Sequence, residues 1–149
     1  MKILVIDGQG GRMGSLFIEK WRQLQGKSDK VIAVGSNSIA TAQMIKAGAD
    51  AGATGENPVI VQSRDADVIV GPIGIMAADA LLGEITEAMA SAVARSSALK
   101  ILIPVNTCSF HVMGVGKYTM SELITEAVNH IKEAFEEKSN YRPSSYSYK

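Results

Sequence analysis

The amino-acid sequence predicts an α/β fold, a doubly wound and mainly parallel sheet with helices on both faces, three layers in all. Three observations carry this. Short aliphatic runs alternate along the chain with segments whose apolar residues recur every three or four positions. The runs are apolar throughout, as strands covered on both faces require. A glycine-rich turn joins the first run to the first amphipathic segment, the kind of junction at which such folds hold anions.

The elements follow in order. Ile3 to Ile6 is an unbroken aliphatic strand, and Met13, Leu16, Phe17, Trp21 and Leu24 place one apolar stripe on a helix that Gly26 stops. Val31 to Val34 is the second strand; Ser38 caps a helix from Ile39 to Ala47 that ends at Gly48. After the loop Ala51 to Pro58, Val59 to Val61 reads as a short third strand and Val68 to Val70 as the fourth. Helices are expected from Met76 to Leu82 and, capped by Thr86, from Glu87 to Arg95. Ile101 to Pro104 is the fifth strand, Phe110 to Val115 a sixth, and Ser121 to Glu137 a final helix. Right-handed crossovers give the strand order 3-2-1-4-5, with the sixth at an edge. Residues 1–138 form one domain on this reading, and the polar stretch 139–149, without aliphatic residues, a disordered or interacting tail.

Ligands of such sheets bind beyond the carboxyl ends of the strands, where the order reverses between the first and the fourth. The segment Asp7, Gly8, Gln9, Gly10, Gly11, Arg12, Met13 and Gly14 lands there. Its glycines fit two registers, Gly8-x-x-Gly11-x-x-Gly14 and Gly8-x-Gly10-x-x-x-Gly14, both related to the strict dinucleotide fingerprint and neither identical to it. No Gly-Lys-Ser/Thr follows, so this is not a Walker A loop. Free N–H groups at a helix N-terminus suit a phosphate; the same glycines also fit a tight, ligand-free turn with close helix packing. An aspartate on the loop would block phosphate, and Gly11→Asp is expected to do so in a folded protein. Asp7 repels phosphate unless it caps backbone N–H groups, binds a hydroxyl or holds a cation.

The end of the second strand, Gly35, Ser36 and Asn37, lacks the acid that grips the ribose in NAD-binding folds. Ser36, Asn37 and Arg12 suit a 2′-phosphate instead, so NADP is preferred to NAD, with another nucleotide as the alternative. Gly71, Pro72, Ile73 and Gly74 end the fourth strand with little bulk and let a flat ligand, or simply a turn, lie against backbone. Thr54, Glu56, Asn57, Asp79, Glu84 and Thr86 are polar residues within reach of the same edge, more commonly solvated than ligand-bound. Asn106, Cys108 and His111 suit loop or core roles. Two histidines, His111 and His130, and one cysteine make no metal cluster.

The stretch Gly10 to Gly14, "GGRMG", resembles the start of dihydrodipicolinate reductase, whose N-terminal half binds a nicotinamide dinucleotide. The likeness implies that Gly8, Gly11, Arg12, Met13 and Gly14 lie under a pyrophosphate. No counterpart of that enzyme's substrate domain or its histidine- and lysine-bearing catalytic stretch is present, so its reaction is not carried over. More of the chain, about Met1 to Glu137, resembles an uncharacterised bacterial family of short Rossmann-like proteins classed as domain of unknown function 3842. The blocks "VIDGQGG", "AGATGENPVIV", "GPIGI", "LGEIT" and "ILIPVN", in that order, carry this resemblance. It implies a fold and no activity.

Composition narrows the function classes. The 149 residues carry 15 basic and 15 acidic side chains, mixed along the chain, so no basic stripe argues for nucleic acid. No run reaches membrane-spanning length and no signal peptide is legible, and a single cysteine suits a reducing compartment; the cytoplasm is the expected location. Three functions stay open: a module that binds a nucleotide or another phosphate-containing small molecule, a small NADP-dependent oxidoreductase whose active site a second subunit completes, and a ligand-free structural protein. A homo-oligomer is expected, since one such unit walls only one side of a cleft and the alanine-rich "AMASAVARSSA" can pack on another helix.

Overall fold

The computed structural model describes residues 1–25, 28–105 and 110–140, with side chains through 136. Five parallel strands form one sheet: β1 (Lys2–Asp7), β2 (Lys30–Gly35), β3 (Ala51–Thr54), β4 (Val68–Pro72) and β5 (Leu99–Ile103). Their order is β3-β2-β1-β4-β5, so the chain reverses direction across the sheet between β1 and β4, as the alternation of elements predicts. The helices are α1 (Arg12–Gln25), α2 (Ser38–Lys46), α3 (Glu56–Gln62), α4 (Glu87–Arg95) and α5 (Met120–Asn140), with one 3-10 turn at Ile73–Met76.

Side chains on a strand alternate between faces, and the core divides accordingly. Ile3 and Val5, with Val31, Ala33, Val68 and Val70, meet Met13, Phe17, Ile18 and Trp21 of α1, Met44 of α2 and Val128 and Ile131 of α5. Leu4 and Ile6, with Ile32, Val34 and Ile69, meet Val59 of α3 and Met89 and Val93 of α4. Both faces are thus buried, which is why β1 and β4 read as continuous apolar runs.

Several boundaries differ from expectation. The stretch Val59 to Val61 is not a strand; it lies in α3, where Pro58 occupies the first turn, the one place in a helix that needs no proline N–H. Only Val59 of the three is buried. The third strand is instead Ala51–Thr54, small residues at the sheet edge that allow α2 to pack close: a Cβ on Gly52 would stand 2.7 Å from Ile45 Cδ1. Asn37, rather than Ser38, caps α2, its side chain accepting from the Ala40 N–H at 2.9 Å. The expected helix from Met76 to Leu82 is a looped segment with positive φ at Asp79, Leu81 and Leu82. Phe110 to Val115 is an exposed turn with no strand pairing. Thr86 caps α4 as expected, accepting from the Met89 N–H at 3.1 Å. The start of α5 is a capping box, Thr119 Oγ1 accepting from the Glu122 N–H while the Glu122 carboxylate accepts from the Thr119 N–H. Gly26 and the segment 141–149 lie outside the described residues.

Trp21 is fully buried and stacks on Phe17 with ring centroids 6.0 Å apart, yet its indole N–H has no partner among the described residues. Trp21→Ala is expected to cost about 3–5 kcal/mol in urea unfolding. Trp21→Phe should cost less, because it keeps most of the apolar volume and removes the unpaired donor.

Candidate functional site

The turn between β1 and α1 is shaped first by Asp7. This last residue of β1 is 6% exposed, and its carboxylate accepts from the Gly8 N–H and the Gly14 N–H, both at 2.8 Å. It therefore caps the first turn of α1 from inside the fold, where the helix dipole favours negative charge. Burial pushes the Asp7 carboxyl above the usual carboxylate range; the N–H groups of Gly14, Gly8 and Met13 oppose this, and the Glu84 charge adds to it.

The glycines answer separate demands. Gly11 has φ +67, and a Cβ there would lie 2.7 Å from Ala40 Cα in α2. A side chain at Gly11 thus collides with backbone, so Gly11→Asp disturbs the fold itself, a correction to the expectation that this variant stays folded. Gly14 touches α2 as well, a Cβ falling 3.2 Å from Asp7 Cβ and against Met44. Around Gly10 nothing lies within 4 Å of a Cβ position. The N–H groups of Gly10 and Arg12 and the Arg12 guanidinium have no acceptor among the described residues.

A cavity of about 260 Å³ opens on this turn. Asp7, Gly8, Gln9, Gly10, Gly11, Arg12 and Met13 line one side; Pro72, Leu81, Val105 and Met120 line the other. Next to it, sharing Val105, a cavity of about 500 Å³ lies between Ile73, Pro104 and the turn that carries His111, Lys117 and Tyr118. Val105, Met120, Lys117 and Tyr118 were not singled out by the sequence, because their place at the edge depends on how the chain returns from β5 to α5.

Other expected site residues are placed elsewhere. Gly35 is buried under α2, a Cβ standing 2.6 Å from the Thr41 N, and Gly71 is closed in by the Ile6 carbonyl at 2.6 Å and by Ile75. Gly74 is buried in the 3-10 turn, whereas Ile73 reaches the larger cavity. Ser36 and Asn37 are engaged by Glu84, whose Oε2 accepts from Ser36 Oγ at 2.6 Å and from the Gln9 N–H at 2.7 Å and whose Oε1 accepts from Asn37 Nδ2 at 3.0 Å. Desolvation alone would raise the Glu84 carboxyl; the bonds from Ser36, Gln9 and Asn37 outweigh it and hold the group below its usual range. Glu56 accepts from the Thr86 hydroxyl away from these cavities, and Asp79 is exposed. Asn106 and Cys108 lie outside the described residues. Among the described residues no group of three or more His, Cys, Asp or Glu could hold a metal, and no helix is long and apolar enough to cross a membrane.

Asp7 sets a pH dependence of definite sign. Its folded carboxyl is raised, so the folded chain binds more proton than the unfolded one, and the Asp7 contribution to stability falls as pH rises from about 4 through the folded value. The unfolding free energy of the parent minus that of Asp7→Asn, measured in urea across this range, is expected to decline with pH and then level off. A difference that grows with pH would contradict the burial cost.

No curated protein matches the sequence. Among solved structures, a dodecameric FMN-dependent Ubix-like decarboxylase from Escherichia coli O157:H7 matches over 100% of both chains, with 14% identity and a TM-score of 0.40. A likeness of that degree passes neither cofactor nor assembly to this chain. The family model described as Domain of unknown function (DUF3842) matches residues 2–136, and the chain belongs to that family.

Proposed function

We propose that the protein binds a nucleotide or dinucleotide, with a ligand phosphate beside Gly10 and Arg12. The observation that carries this reading is a set of donors without acceptors among the described residues, the Gly10 and Arg12 N–H groups and the Arg12 guanidinium, on two residues that line the 260 Å³ cavity. One end of the ligand lies toward Pro72, Leu81 and Val105, whose apolar surface suits a base or another flat ring. An NADP-type 2′-phosphate at Ser36 and Asn37 would have to meet the Glu84 carboxylate that already holds both side chains.

Gly10→Asp is the direct test, since its side chain enters open space and leaves packing untouched. Isothermal titration with ADP is expected to show binding to the parent and at least about a tenfold loss in this variant, from like-charge repulsion; the melting temperature should be unchanged. Equal affinity in the two proteins places the phosphate elsewhere.

A second reading, a small oligomeric oxidoreductase whose active site another copy completes, is favoured by the larger cavity. Its outer wall holds Phe110, Val112, Val115 and Tyr118, between 39% and 57% exposed, an apolar rim that a second copy would cover. Light scattering over a concentration series is expected to give at least a dimer mass. A monomer mass at high micromolar protein, with and without nucleotide, would set this second reading aside.

A further inference from the structure

No acid belongs to the end of β2, where Gly35, Ser36 and Asn37 follow one another. A carboxylate nevertheless stands there, brought by the segment between β4 and α4. Glu84 accepts from Ser36, Gln9 and Asn37, and Asn37 Nδ2 also donates to the Gln9 carbonyl at 2.8 Å, so the acid joins the end of β2 to the glycine turn. It is not a loosely held surface group. On either side of it Leu81 is 8% exposed and Ile85 is fully buried, both in the core beneath α4. The chain reaches this position through Leu81 at φ 56, Leu82 at φ 57 and Gly83 at φ 85, a bend that side chains with a Cβ disfavour. The anchored bend holds Glu84 against the glycine turn.

In folds of this kind the end of β2 faces the adenosine ribose of a dinucleotide, and an acid there accepts from the ribose hydroxyls. We propose that Glu84, from a different loop, supplies that acid in this protein, and that the site takes nucleotides whose ribose carries free hydroxyls while rejecting those with a 2′-phosphate. This rests on the nucleotide reading of the Gly8 to Gly14 turn.

The chemistry has two parts. An ionised carboxylate offers about four acceptor positions; the Gln9 N–H and Ser36 fill those of Oε2 and Asn37 fills one on Oε1, which leaves an Oε1 position for a hydroxyl donor. A 2′-phosphate, ionised at neutral pH, has no proton to donate there and finds the Ser36 and Asn37 donors already engaged. It adds like charge beside Glu84, and Asp7 lies close enough to feel Glu84 already.

The test compares NAD with NADP, which differ only by the 2′-phosphate, by isothermal titration of the full chain, with inorganic pyrophosphate as a separate probe of the glycine turn. The parent is expected to bind NAD at least about tenfold more tightly than NADP, the penalty of like-charge juxtaposition. Glu84→Gln keeps the shape, removes the charge and should bring the two affinities together. The parent ratio reads the inference without any variant. Pyrophosphate binding accompanied by NADP affinity equal to or above that for NAD, or by a ratio unchanged in folded Glu84→Gln, overturns the Glu84 assignment and leaves the phosphate turn standing. If neither dinucleotide nor pyrophosphate binds at millimolar concentration, the nucleotide reading falls and the assignment falls with it.

Discussion

The β1–α1 junction depends on a carboxylate buried at the tip of the central strand. Asp7 sits where two parallel neighbours and two layers of helix exclude water, a costly position for a charge. What makes it tolerable is the first turn of α1, whose unsatisfied N–H groups point back at it. The bond to Gly14 pins the start of the helix to the end of the strand, and that placement brings Gly11 and Gly14 against α2. Much of the glycine content is thereby explained by packing and capping alone. Gly10, with open space around it, is the glycine that this network does not require.

The capping role also changes what a strand, glycine turn and helix can mean. In the simplest picture such a junction presents all of its N–H groups to a ligand phosphate. Here Asp7 takes those of Gly8 and Gly14, and Glu84 takes that of Gln9. An incoming anion is left with Gly10 and the first residue of α1, supplemented by the Arg12 side chain. The two resident carboxylates stand at the ends of β1 and β2, so an anion bound as proposed would lie toward Arg12, away from both.

The strand order was legible because both faces of β1 and β4 are buried, which leaves no polar residue to interrupt their aliphatic runs. The third strand was not, for the opposite reason. Ala51–Thr54 is mostly exposed and is made of small residues chosen by contact with α2, whereas the β-branched "VIV" beside it belongs to a helix with only Val59 facing inward. At the site, the glycine turn announced itself by spacing. Glu84 looked like one more surface acid, because its position depends on a bend at Leu81, Leu82 and Gly83 for which two leucines give no signal. The wall formed by Val105 and Met120 was hidden in the same way, since both lie on the return from β5 to α5 and approach the turn only once the sheet is assembled.

The small number of free donors bears on what the cavity can hold tightly. Two N–H groups and one exposed guanidinium would meet a free phosphate in competition with water, and exposed ionic contacts contribute little under those conditions. Further affinity has to come from apolar contact, at about 25 cal/mol for each Å² removed from water. Pro72, Leu81, Val105 and Met120 offer such contact on the far side of the same cavity, and the larger cavity continues from Val105 past Ile73 to Tyr118. A phosphate carrying a flat apolar group uses both sets of contacts at once, whereas inorganic phosphate uses one. On the proposed reading the arrangement of walls and donors would favour an organic phosphate over the free ion, a preference that would follow from the scarcity of N–H groups left by Asp7 and Glu84.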